Sequence, residues 1–240
     1  MIKAVFFDLD GTLLPMDEAK FEQIYFGSLF RYLVPHGYEP EQVKNGILSG
    51  VVAMMRNDTG LSNEDVFWQT FNKVIGRDCT GDKPIFEEYY KTQFSRTVDA
   101  CGNNPLAPEI VKYCKENFDV VVLSTNPLFP AIATEIRMGF TGLKPSDFNL
   151  VTTYENAGFC KPNPKYFMDL MNRFNLKPEE VIVVGNNTLE DCECALACGI
   201  KSVLVKGNII YNPKATHTFE EIEMKDLISY LEKVKKCLKS

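Results

Sequence analysis

Apolar positions along the chain follow two different periods. Short β-branched and aromatic runs over residues 2–8, 119–124, 149–153, 181–185 and 201–205 read as buried strands. Between the later runs, helical spacing predicts helices over residues 105–117, 127–138, 164–174 and 189–198. Strands alternating with helices predict parallel βαβ units. The expected fold class is therefore α/β, a doubly wound, mostly parallel sheet with ligands at the carboxyl ends of its strands.

Residues 15–104 break that rhythm. Phe21, Ile24, Tyr25, Leu29, Tyr32 and Leu33 have the spacing of an amphipathic helix, and residues 41–55 predict a second. Ser62 followed by Asp65 resembles a capping box that opens a third helix through Trp68, Phe71 and Ile75, and residues 83–94 predict a fourth. Roughly 90 residues of helix are too many for one ordinary crossover. The expected organisation is a core of residues 1–14 and 105–240 interrupted by an all-helical domain over 15–104. Gly11 to Met16 and the turn-rich Cys101-Gly102-Asn103-Asn104-Pro105 would form its hinge. A last amphipathic helix is predicted over residues 220–239.

Composition narrows the function classes. The 240 residues carry 26 Lys plus Arg against 32 Asp plus Glu, a net charge of −6. That argues against a general binder of nucleic acid or anionic membrane, which relies on clustered positive charge. The longest apolar runs are far shorter than the roughly 20 residues of a membrane span, so no membrane association is expected. The N-terminus lacks the pattern of a secretory signal, and the eight cysteines are expected as reduced thiols in a cytoplasmic protein. Cys194 and Cys198 share a helix face that Cys192 does not, which predicts buried small residues in place of a metal site.

The candidate chemistry gathers at strand ends. Asp8-Leu9-Asp10-Gly11-Thr12 follows the first strand directly. Residues i and i+2 there point the same way, so two carboxylates meet where Gly11 lets the chain turn. Adjacent carboxylates call for a divalent cation or a raised pKa, and one of them suits acid–base work. Ser124-Thr125-Asn126 ends the second strand, with Pro127 expected as the first residue of a helix whose amides would help hold an anion. Lys161 lies in a loop among turn formers. Gly185-Asn186-Asn187-Thr188-Leu189-Glu190-Asp191 ends the fourth strand with hard oxygen donors suited to Mg²⁺.

In this order the motifs resemble the haloacid dehalogenase-like (HAD) superfamily of phosphohydrolases, over essentially the whole chain, and the 15–104 insertion resembles its helical C1 cap. The resemblance implies that Asp8 is a nucleophile forming an aspartyl-phosphate, and that Asp10 protonates the leaving oxygen and then activates water. It implies phosphate contacts from Thr125, Asn126 and Lys161. It also implies a Mg²⁺ held by the Asp8 side chain, the Asp10 carbonyl and Asn187, with Asp191 in support. Asp10 argues against dehalogenation, because that branch lacks the second aspartate. Asn187 stands where most members carry a metal-binding aspartate, so weaker Mg²⁺ affinity is expected. The implied function is Mg²⁺-dependent hydrolysis of a small phosphorylated metabolite by a monomer or weak homo-oligomer. The alternatives are a phosphomutase and a catalytically weakened binder of a phosphorylated ligand. Arg56, Arg77 and Arg96 are the cap cations available to a polar substrate, while the Met54-Met55 and Tyr89-Tyr90 pairs are expected in the core.

Overall fold

The computed structural model describes residues 1–236. Six parallel strands, β1 (Ala4–Phe7), β2 (Val120–Leu123), β3 (Leu150–Val151), β4 (Val181–Gly185), β5 (Lys201–Val205) and β6 (Glu221–Ile222), form one sheet in the order β3-β2-β1-β4-β5-β6. The first strand in sequence thus sits at the centre, in register with β2 on one side (Phe7 opposite Leu123) and β4 on the other (Phe7 opposite Val184). Successive connections leave β1 in opposite directions, and the crevice at such a reversal is where this architecture binds ligands. Every residue of β1 is buried, which is why its sequence is a continuous apolar run without alternation.

The five expected strands are all present, most of them shorter than expected. β6 falls where the sequence predicts the start of the last helix. Glu221 and Ile222 pair with Leu204 and Val205 as a two-residue edge strand, too short to show any alternation. The helix itself begins at Leu227, and the end of the expected span lies outside the described residues.

Residues 18–92 form α1 (Glu18–Leu33), α2 (Pro40–Met55), α3 (Asn63–Ile75) and α4 (Lys83–Thr92), followed by a 3-10 segment, Phe94–Ala100. The Ser62 cap is formed as expected: its hydroxyl accepts from the Asp65 N–H at 3.1 Å and donates to the Asp65 carboxylate at 2.8 Å. α2 and α3 approach closely because Gly46 and Gly50 present bare backbone to Phe71 and Phe67. A Cβ on Gly50 would lie 2.5 Å from the Phe67 ring. The two connections to this helical region run side by side, with Met16 bridged to Cys101 and the Gly102 N–H bonded to the Pro15 carbonyl at 2.8 Å. One apolar cluster continues from Val5, Phe7 and Val121 of the sheet into Phe21, Tyr25, Trp68 and Phe86 of the helices.

On the sheet lie α5 (Ala107–Asn117), α6 (Ala131–Gly139), α7 (Lys165–Arg173), α8 (Cys194–Ala197) and α9 (Leu227–Lys236). Two of these depart from expectation near the strand ends. α6 starts four residues after Pro127, and its first amide, on Ala131, donates to the Glu155 carboxylate (2.9 and 3.1 Å), so that helix end is already satisfied. Residues Thr188–Glu193 form a wide π turn ahead of α8, because the Asn187 carbonyl accepts from both Asp191 and Cys192 (3.0 and 3.3 Å).

Candidate active site

Asp8 is the first residue beyond β1, its N–H still bonded to the Val184 carbonyl at 2.9 Å. Gly11, at φ 79°, turns the chain immediately afterwards. A Cβ there would lie 2.0 Å from the Asn186 amide nitrogen, so glycine is required both by the left-handed backbone and by the close approach of the β4 loop. The Thr12 hydroxyl sits 3.3 Å from both the Asp8 Oδ2 and the Asn186 Oδ1, so three oxygens from two strand ends converge.

Lys161 is 1% exposed, and its ammonium lies between two carboxylates, 2.8 Å from Asp8 Oδ1 and 2.6 Å from Asp191 Oδ1. Burial alone would push the Lys161 pKa down, but Asp191 and then Asp8 outweigh it and hold the value well above the ordinary one. Asp191 reaches this position because Gly185 has no side chain: a Cβ there would meet its carboxylate at 2.3 Å. The other oxygen of Asp191 accepts from the Asn186 and Asn187 N–H groups, each at 3.0 Å. For Asp8 the balance differs. Burial raises its pKa, Lys161 lowers it, Asp191 and Asp10 raise it again, and the result is pushed up to about 7.

Thr125 is buried and lines the same cavity as Asp8 and Lys161. Asn126 acts as a clamp: its oxygen accepts from the Lys161 N–H at 3.1 Å, while its nitrogen donates to the Lys161 carbonyl at 3.2 Å and to Glu190 at 2.9 Å. Its polar atoms are therefore engaged in holding the lysine loop. Asn187 lines the same cavity. Its side-chain oxygen accepts from the Leu189 and Glu190 N–H groups (3.0 and 3.2 Å) and so caps the π turn. Asn186, one residue earlier, shares the Thr12 hydroxyl with Asp8.

The main residue the sequence reading missed is Arg137. It is 2% exposed, ion-paired to Asp10 Oδ2, and stacked 4.6 Å from the centre of the Phe129 ring. The other oxygen of Asp10 is buried and has no hydrogen-bond partner among the described residues. An arginine four residues after Ala133 on the apolar stripe of α6 was the available signal. By contrast, Arg56, Arg77 and Arg96 line neither of the cavities at the site, and Arg77 instead pairs with Asp82 at 2.8 Å. Tyr89, Tyr90 and Met54 are buried as expected, Tyr90 also bordering the larger cavity, whereas Met55 is exposed and borders the smaller one because it ends α2. Cys192, Cys194 and Cys198 are buried free thiols.

Two adjoining cavities result. The smaller, about 160 Å³, is polar and holds Asp8, Asp10, Thr125, Lys161 and Asn186. The larger, about 390 Å³, lies under α1, α2, α3 and α4. The cap helices close on the core through α3, whose Asn63 and Glu64 N–H groups bond the Ala157 and Tyr154 carbonyls, each at 2.8 Å.

A buried carboxylate, a buried ammonium and a second carboxylate at the switch point of a parallel sheet suit transfer of an anionic group. Comparison with known proteins agrees. The family profile of the haloacid dehalogenase-like hydrolases matches residues 2–199, and the chain belongs to that family. The glyceraldehyde 3-phosphate phosphatase of Methanothermobacter thermautotrophicus is 23% identical over 214 residues, covering 87% of this chain and 88% of its own. The fold is shared with a HAD phosphatase from Thermococcus onnurineus (TM-score 0.59, 20% identical, 96% and 98% of the two chains). It is shared as well with the 2-haloacid dehalogenase of Pseudomonas syringae pv. Tomato (TM-score 0.65, 18% identical, 97% and 99%).

Proposed function

We propose that this HAD-family phosphatase hydrolyses small phosphomonoesters through a phosphoryl group carried on Asp8. The observation that carries the reading is the Lys161 ammonium 2.8 Å from Asp8 at the wall of a small polar cavity that opens into a larger one. Asp8 would attack phosphorus as the ester oxygen leaves, and Lys161 would offset the charge gathered on the phosphoryl oxygens. Asp10 would give a proton to the leaving oxygen and take one from the water that then releases phosphate from Asp8. Because Arg137 holds Asp10 in this structure, that work requires Asp10 to turn from Arg137 toward the phosphoryl group. Thr125 would contact the phosphoryl oxygens, and Asn126 supports them indirectly by fixing Lys161.

Mg²⁺ suits the donors at the site, which are hard oxygens around a buried carboxylate. Among the described residues no three His, Cys, Asp or Glu side chains are grouped to hold a metal ion. The set would therefore combine the Asp8 side chain and Asp10 carbonyl with the Asn186 amide oxygen, and Asp191 would hold the Asn186 loop. When bound there, the ion supplies charge neutralisation at the phosphoryl oxygens. A neutral Asn186 beside Asp8 also supports a second reading, in which the site binds a phosphorylated ligand without turning it over. Phosphate release from a panel of phosphomonoesters, with and without Mg²⁺, compares the wild type with Asp8→Asn. Release by the wild type alone supports hydrolysis. Ligand binding with no release by either protein supports the second reading.

A further inference from the structure

The two cavities share Asp10, Glu18, Leu128, Phe129, Arg137 and Glu190 as common walls, so a phosphate anchored beside Asp8 directs its organic part into the larger space. That space, about 390 Å³, falls within the usual size of a small-molecule site and accommodates one or two rings. Nine of its twenty lining residues are aromatic, among them Tyr25, Phe26, Phe67, Trp68, Tyr90 and Tyr154.

Its polar groups say as much by their pairing as by their identity. The Tyr25 and Tyr90 hydroxyls, 3.2 Å apart, bond to each other, so the neutral groups free to meet the hydroxyls of a sugar are few, the Trp68 indole N–H, unpaired among the described residues, being one. Removing such hydroxyls from water without replacing their bonds is unfavourable. Four acidic residues, Asp10, Glu18, Glu22 and Glu190, border the space, and its one cation, Arg137, is already paired with Asp10. When Asp10 turns to the phosphoryl group Arg137 is released, but four carboxylates against one guanidinium still leave the lining with an excess of negative charge, which disfavours a second anionic group on the substrate.

We infer that the substrate is a phosphomonoester of an aromatic or similarly bulky apolar alcohol that carries no negative charge of its own. This inference rests on the phosphatase reading and deepens it. It sets the chain apart from a triose-phosphate specificity, whose small polar organic group would leave the aromatic walls largely uncovered.

The test compares kcat/KM for 2-phenylethyl phosphate, its 4-carboxyphenyl analogue and glycerol 3-phosphate. All three have unactivated alkyl leaving groups, so differences report the fit of the organic part. Calorimetric binding of 2-phenylethylphosphonate against methylphosphonate, neither of which is hydrolysed, runs alongside. The expected result is a preference of roughly thirty- to a hundredfold for 2-phenylethyl phosphate over glycerol 3-phosphate, as burial of one ring would give. The carboxylated analogue should lose most of that preference, and the phenylethylphosphonate should bind more tightly than methylphosphonate by a similar factor. Equal or better turnover of glycerol 3-phosphate, or equal binding of the two phosphonates, overturns the inference while leaving hydrolysis intact. No turnover of any ester together with selective phosphonate binding removes the hydrolytic reading and keeps the cavity's preference.

Discussion

The polar cavity and the aromatic cavity share a wall but are built in opposite ways. The first is assembled from short segments at strand ends, where a few residues fix one another: Gly11 admits Asn186, Gly185 admits Asp191, and Asn126 clamps Lys161. The second is assembled from α1 to α4, Arg137 of α6 and the loops that follow β1, β2, β3 and β4, and its aromatic rings come from positions spread between Phe21 and Tyr154. Charge and hydrogen bonding dominate the first, while apolar area dominates the second. On the proposed function, chemistry is thereby separated from selectivity, and changes to one should leave the signature of the other recognisable.

The largest expected effect lies in the polar cavity. Lys161→Met would leave Asp8 and Asp191 buried without their shared cation, a loss of about 3–5 kcal/mol in stability for a broken buried ion pair. It should also lower phosphate release at least about a hundredfold, as loss of one preorganised donor does. Denaturant unfolding and steady-state kinetics measure the two. Retained stability and activity would mean that the Lys161 bridge matters little.

On the aromatic side, Gly50→Ala drives a methyl into the Phe67 ring and should cost about 1–3 kcal/mol. Thermal unfolding checks the cost. Turnover of bulky apolar esters should fall more than that of glycerol 3-phosphate, and an equal fall in both would break the separation proposed between the cavities.

Asn186 and Asn187 sharpen the comparison within the polar cavity. Asn186→Asp should lower the Mg²⁺ concentration for half-maximal activity by about tenfold. Asn187→Asp should leave it unchanged, since aspartate caps a helical turn as well as asparagine does. The reverse pattern would restore Asn187 as the metal-side residue.

The smallest effect is a shift in a pH profile. Because Asp8 must be ionised to attack and burial raises its pKa to about 7, activity at low Mg²⁺ should fall as pH drops through that value. Saturating Mg²⁺ favours the carboxylate and should move the limb downward. The linked stability has the opposite sense: with a raised folded-state pKa, chelated protein should lose stability as pH rises from about 4 toward 7. Asp8→Asn should flatten that slope in thermal unfolding.

The separation also explains what was legible in the sequence. Asp8, Asp10, Thr125, Lys161 and Asp191 follow strands that are read from apolar runs, so their meeting at one sheet edge follows from topology. The division of labour between Asn186 and Asn187 was not legible, because it depends on which amide caps the π turn. Arg137 was hidden on a helix stripe, and β6 was too short to show a period. The aromatic cavity was invisible because its rings share the apolar spacing of ordinary core residues, and for Phe67 its place at the cavity depends on the close packing of α3 on α2 at Gly50.

The central claim is that Asp8 carries the phosphoryl group. Enzyme quenched in acid during turnover of a phosphomonoester, digested and examined by mass spectrometry, tests it most directly. The account predicts a peptide bearing one phosphoryl group on Asp8, absent from Asp8→Asn. An unmodified Asp8 peptide from enzyme that is releasing phosphate, together with undiminished release by Asp8→Asn, would contradict it.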